Sequence, residues 1–168
     1  MSSGSKGAEK EKKEVFLEFP GRWDIPYVHS AGRTATKFFT ELKNKKIMGT
    51  KCSKCGRVLV PPRSFCERCF VPTTEWVEVK DTGIIQTFTI CYVQFTGLPK
   101  PPYAIGGIKL DGADTGLLWF IGGVPLGNQK EDFKKMPVGS RVKAVWSEER
   151  KGAMSDIKYF KPIGGPEK

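Results

Sequence analysis

Four of the chain's five cysteines fall into two C-x-x-C pairs, Cys52/Cys55 and Cys66/Cys69, with ten residues between the pairs. No other feature limits the possible folds as tightly. A C-x-x-C turn brings two thiolates within reach of one ion, and two such turns complete the tetrahedral sulfur set that Zn2+ takes in closed structural sites. Both pairs sit in turn chemistry, Cys52-Ser-Lys-Cys55-Gly56 and Cys66-Glu-Arg-Cys69. Two disulfides are the plainer alternative, and they require an oxidising compartment. A redox site fits less well, because thioredoxin-like chemistry uses one C-x-x-C opening a helix, not two facing pairs. A zinc ribbon is therefore expected, with a structural Zn2+ on Cys52, Cys55, Cys66 and Cys69. Four cysteine ligands leave no open position for water, so the metal builds structure and performs no catalysis. Zinc is preferred over iron for this thiolate set.

A ribbon of about thirty residues cannot bury enough apolar surface to fold alone, and metal binding supplies roughly 10–16 kcal/mol to such units. The rest of the 168 residues, rich in β-branched and aromatic side chains, must hold the main core. Residues 1–14 are rich in Ser, Gly, Lys and Glu with no hydrophobic run, which fits a disordered tail and neither a signal peptide nor an anchor. No apolar stretch approaches the roughly 20 residues that span a bilayer. Thiolate zinc without an export signal places the expectation in the cytoplasm.

The net charge of +10 is unevenly distributed. Residues 33–70 carry ten Lys and Arg against Glu41 and Glu67, a net +8, while residues 71–168 carry thirteen against eleven. Part of the excess answers the metal, since Zn2+ with four thiolates has a local charge of −2. The remainder is either a solvated lysine-rich surface or a basic face for phosphate or an acidic protein.

Along the chain, Phe16 to Ser30 sets Pro20, Gly21 and Pro26 among Phe16, Phe19, Trp23 and Tyr27, which favours an extended aromatic arm over a helix. Phe38, Phe39 and Leu42 then recur at helical spacing, with Thr34 or Thr36 as N-cap and Lys43, Lys45 and Lys46 at the dipole's negative end. Val58-Leu-Val-Pro-Pro62 reads as a short edge strand ended by prolines. Strand-like runs follow at 76–79, 84–95, 103–110, 115–121, 141–146 and 157–160, with a helix-like interruption at 130–136. About five strands with a short helix before the fourth is the plan of an OB-type barrel. Gly106-Gly107 and Gly122-Gly123 mark barrel bends or close approaches of a ligand to the backbone. The expected organisation is a mainly β protein: tail 1–14, arm and helix 15–46, zinc ribbon 47–76, OB-type barrel 77–163 and tail 164–168.

The order of these parts resembles a known family. A basic helix with Phe38 and Phe39, then C-x-x-C-G, then Val58, Pro61, Pro62 and Arg63, then C-x-x-C and Glu75-Trp-Val77, is similar to the zinc-ribbon/OB-fold proteins once catalogued as domain of unknown function 35. The likeness continues through Gly83, Ile85, Phe88 and Thr89, through Pro102-Tyr103, and through Pro137, Gly139 and Val142, covering about residues 30–163. The resemblance implies a non-catalytic subunit that works with a thiolase-fold protein in acyl-CoA metabolism, in thiolytic cleavage or condensation of a 3-oxoacyl-CoA. It also implies a hetero-oligomer with two copies of each chain. A narrower expectation is the small subunit of a benzoylsuccinyl-CoA-type thiolase, although no residue here identifies the acyl group.

The chain's own residues agree that catalysis belongs elsewhere. Thiolytic chemistry needs a reactive cysteine and a base. Only Cys91 is left over from the metal set, and its strand face (Thr87, Thr89, Val93, Phe95) offers no base, so a buried inert thiol is expected. His29, the only histidine, lies in the aromatic arm, where a surface or interface role is expected. What the chain can supply is cationic contact to the phosphates of CoA or to an acidic partner face, with Arg33, Lys37, Arg57, Arg63 and Arg68 as candidates. The rival reading is a zinc-ribbon/OB module for single-stranded nucleic acid, given a pI near 9.4. Against it, residues 84–121 carry only Lys100 and Lys109 against Asp111 and Asp114, so the aromatic strands are not the basic ones.

Overall fold

The computed structural model describes residues 16–23 and 25–166. The expected tail at 1–14 and the last two residues lie outside this range. The aromatic arm is a β-hairpin, β1 (Glu18–Trp23) against β2 (Ile25–Ser30), with Phe19 opposite His29. It is followed by α1 (Gly32–Lys43). Next come β3 (Ile47–Lys51), β4 (Val58–Leu59) and β5 (Glu75–Val79), a three-stranded sheet in the order β4-β3-β5. The remaining strands are β6 (Thr82–Cys91), β7 (Tyr103–Leu110), β8 (Gly116–Ile121), β9 (Ser140–Trp146) and β10 (Ile157–Pro166). They close into a barrel in the order β10-β8-β7-β6-β9. A short helix α2 (Gln129–Asp132) and a 3-10 turn through Lys135 precede the fourth barrel strand, as an OB plan requires. No described helix is long and apolar enough to cross a membrane.

Several local expectations are corrected. α1 starts at Gly32, before either threonine proposed as its N-cap, and Ala31 caps it with no side-chain bond. Thr36 is spent elsewhere: its Oγ1 accepts the Leu17 backbone N–H at 3.0 Å and so ties the arm to the helix. Phe19 also packs edge-on against Phe39, with centroids 4.9 Å apart. The run at 76–79, expected among the strands after the ribbon, pairs with β3 across its whole length and belongs to the ribbon sheet. The first barrel strand ends at Cys91 and not at Phe95, because the chain turns out into a loop rich in Gly and Pro. The last strand runs to Pro166, well past Phe160, because it continues along β9 to pair with Ser140.

One core joins the parts. Phe38 and Leu42 of α1, Ile47 of β3, Val60 and Val79 cluster with Ile85, Ile108, Leu117, Val142 and Phe160 of the barrel. The open edge of β4 would expose unpaired backbone groups. The turn after β7 covers it. Val58 N–H donates to the Asp114 carboxylate at 2.9 Å, and the Asp114 N–H returns a bond to Val58 C=O at 2.8 Å. Thr115 Oγ1 accepts from Val60 N–H at 2.7 Å and donates to its carbonyl at 2.8 Å. The same turn is braced by Asp111, which accepts both guanidinium arms of Arg141 at 2.7 and 2.6 Å and the Thr82 hydroxyl. These bonds, led by Arg141, hold the Asp111 carboxyl down at about 2.

For Gly106 the structure answers the question raised by the paired glycines. A Cβ there would lie 2.5 Å from Ile121 Cδ1 and 2.9 Å from the Thr87 carbonyl oxygen, so the close approach is barrel packing. Gly106→Ala should therefore destabilise the chain by about 1–3 kcal/mol through overpacking, read as a lowered midpoint in chemical denaturation.

Candidate metal centre and basic cleft

The two knuckles are built alike. In the first, Cys52 N–H donates to Arg57 C=O and Gly56 N–H donates back to Cys52 C=O, both at 2.9 Å. In the second, Cys66 N–H donates to Val71 C=O and Phe70 N–H to Cys66 C=O, again at 2.9 Å. The turn needs a left-handed residue at its fifth position. Gly56 supplies it at φ 73°, and Phe70 takes the same conformation at φ 52° while its ring stays exposed. Leaving β3 and the strand β4 on either side of the first knuckle, and Pro72 bridged to Phe65 across the second, the backbone points all four sulfurs inward.

The four Sγ atoms lie within 4.8 Å of one another, and Cys55 Sγ is 3.8 Å from Cys66 Sγ. A tetrahedron of Zn–S bonds near 2.3 Å has edges of about 3.8 Å, so the donor set is of the size and chemistry that Zn2+ takes. All five cysteines are free thiols, which removes the disulfide alternative. Without metal the sulfurs are unlike. Backbone N–H of Cys55, with help from Lys54, brings the Cys52 thiol down to about 6, whereas burial pushes Cys69 up to about 12. The knuckles are also cross-braced. Glu67, between the second pair of cysteines, accepts Arg57 at 2.8 Å and lies 3.2 Å from Arg63. Its own backbone N–H and then Arg57 lower the Glu67 pKa.

The five candidate cations thus divide. Arg57 and Arg63 are engaged by Glu67 at the metal centre, and Arg68 is exposed beside it. Arg33 and Lys37, one turn apart on α1, instead line a cleft of about 560 Å3 between the helix and the ribbon. Ser64, Thr74 and Trp76 of the ribbon form its other wall. Lys37 Nζ stands 4.4 Å above the centre of the Trp76 ring, a cation–π contact that fixes a long side chain in place. Sequence reasoning did not find Ser64, Thr74 or Trp76, because no local spacing connects them to α1.

The other singled-out residues stay apart. Cys91 is partly exposed, not buried, because it ends β6, and its Sγ donates to Val93 C=O at 3.4 Å. His29 is exposed, with the rings of Phe19 at 6.3 Å and Tyr27 at 5.7 Å beside it.

Comparison with known proteins agrees with this architecture. Residues 39–75 match a family described as ChsH2, rubredoxin-like zinc ribbon domain, and residues 76–147 match ChsH2, C-terminal OB-fold domain. A crystal structure of a protein of unknown function from the DUF35 family of Sulfolobus solfataricus is 32% identical, with a TM-score of 0.58 over 78% of this chain and 86% of that one. This chain belongs to the DUF35 family. A second structure, described as an Ltp2-ChsH2(DUF35) aldolase, shares the fold at 19% identity, with a TM-score of 0.59 over 78% of this chain and 95% of that one. A search of curated proteins gives no match. As in the rubredoxin-like ribbon it matches, the cofactor of this DUF35 protein is a structural zinc.

Zinc binding must displace protons from the high-lying thiols, Cys69 first, so affinity rises with pH and falls as protons compete. A competitive chelator titration should show it weakening by about tenfold or more per pH unit on acidification from pH 8 to 6.5. Chelation should strip hydrogen-exchange protection from β3, β4 and β5 while slow amides persist in β6 and β7.

Proposed function

We propose that this chain is the non-catalytic subunit of a thiolase-type acyl-CoA complex, assembled with a thiolase-fold partner as two copies of each chain. Cys52, Cys55, Cys66 and Cys69 hold its structural zinc. The observation that carries the reading is the placement of two candidate cations, Arg33 and Lys37, in one hydroxyl-lined cleft, with Lys37 held over the Trp76 ring. Cations and hydroxyls together suit the phosphates at the nucleotide end of CoA. Cys91 bonds to Val93 C=O and stands against the Tyr103 phenol, which that contact and burial keep protonated. His29 is neighboured by the rings of Phe19 and Tyr27, and both environments support placing the chemistry of acyl transfer in the partner. That a relative of the same fold is described as part of an aldolase with a second named component supports a partnered role.

The deciding experiment is an affinity capture of the full chain from its own cell extract at moderate salt. A thiolase-fold protein recovered in stoichiometric amount is the expected result. Nuclease-sensitive RNA or DNA with no such protein would instead establish the rival nucleic-acid reading. In the reconstituted complex, with a panel of 3-oxoacyl-CoA thioesters that includes benzoylsuccinyl-CoA, Lys37→Glu should raise KM roughly tenfold with kcat nearly unchanged. Arg68→Glu, outside the cleft, should change KM by less than about twofold. A KM unmoved by Lys37→Glu would exclude CoA contact there and leave the cleft as a docking face.

A further inference from the structure

The barrel carries a second cleft, unconnected with the acyl-CoA reading. It opens where β8 meets β10 and has a volume of about 800 Å3, within the range of roughly 300–1,000 Å3 typical of small-molecule sites. Trp119 and Phe120 of β8 and Tyr159 of β10 wall it, Leu98 forms one lip, and Ser155 lies at another. Leu98 belongs to the loop joining the first barrel strand to the second, and Ser155 to the loop joining the fourth to the fifth. In five-stranded barrels of this plan those two loops flank the ligand face.

The walls are prearranged. β8 and β10 share a single registered pair, Phe160 with Ile121, so side chains and not sheet backbone line most of the gap. The Trp119 indole N–H spans it to donate to Ile157 C=O at 2.6 Å, which satisfies its one polar atom and fixes the ring. Phe120 is held edge-on by Trp119 at 5.3 Å and by Tyr103 at 5.9 Å. Among the described residues, exposed Lys158 is the only charged residue lining the cleft, and no carboxylate lines it. A polynucleotide needs a series of cations along its phosphates, which these walls lack. One cation at the edge of aromatic walls instead selects an apolar body with a single negative end.

We propose that this cleft binds a small hydrophobic carboxylate, its ring or short chain against Trp119, Phe120 and Tyr159 and its carboxylate paired with Lys158. The test is an NMR titration of the zinc-loaded full chain with 4-phenylbutyrate and octanoate, and with the matched neutral alcohols. The acids should give saturable shifts of the Trp119 indole N–H and of the amides of Gly97, Leu98, 119–122 and 155–159, and the alcohols should bind several-fold more weakly. Lys158→Gln should weaken the acids about two- to fivefold and leave the alcohols unchanged, as for an exposed ion pair. Leu98→Asp, at an exposed loop position, should weaken the acids further by repulsion without disturbing the fold. Shifts that do not saturate, alcohols that bind as tightly as acids, or an oligo-dT octamer that binds these resonances more tightly than either acid would each overturn the assignment.

Discussion

Everything in the first half of this chain depends on bringing four sulfurs to one point. The two knuckles are separated by a two-residue strand, β4, and by a short loop whose Val60 packs into the barrel core and not into a core of the ribbon's own. The ribbon sheet has three strands, one of only two residues. Such a sheet has no independent core to speak of. Thiolate–metal bonds replace the missing hydrophobic burial, and the requirement is strict enough that Phe70 accepts a left-handed backbone that favours glycine, in the same turn position that Gly56 fills without strain.

The ribbon, once closed, is not left as an appendage. Its weak edge is covered by Asp114 and Thr115 through reciprocal hydrogen bonds, and its inner face continues the barrel core through Val60 and Val79. α1 completes the junction. Arg150, in the loop before β10, donates to the carbonyl of Lys43 at the helix end at 2.8 Å. Metal closure, edge capping and core continuity are therefore linked, and loss of the first should loosen the second before it reaches the barrel strands.

The same geometry sorts the charge. Formal charge over residues 33–70 treats ten cations as equivalent, but packing gives them different work. Two arginines neutralise Glu67 between the knuckles, while Lys37 is laid over an indole in a cleft lined by hydroxyls. A lysine held above an aromatic ring has already lost part of its rotamer freedom, so presenting it to an anion costs less ordering than a free surface lysine would. The barrel cleft is the opposite environment, three aromatic walls and one cation. The two clefts thus differ in the chemistry they can accept, one polyanionic and polar, the other apolar with a single charge.

The zinc ribbon was legible in the sequence because its determinants are local: C-x-x-C turns fix ligand spacing within four residues, and Gly56 marks the turn geometry. The barrel was legible as a count of strands and a helix before the fourth, since alternation and Gly/Pro punctuation are also local signals. Strand allegiance was not. Glu75–Val79 looks like any other β-rich run, and only its pairing with β3 assigns it to the ribbon. Nor could spacing reveal that Thr36 serves the arm in place of the helix cap, or that Trp76 would meet Lys37 across thirty-nine positions. The sequence by itself determined the metal chemistry and the fold class, because both follow from short-range residue patterns. Only the tertiary structure decided which cations share a cleft and where the barrel opens, because those depend on contacts between residues far apart in the chain, whose partners no local pattern encodes.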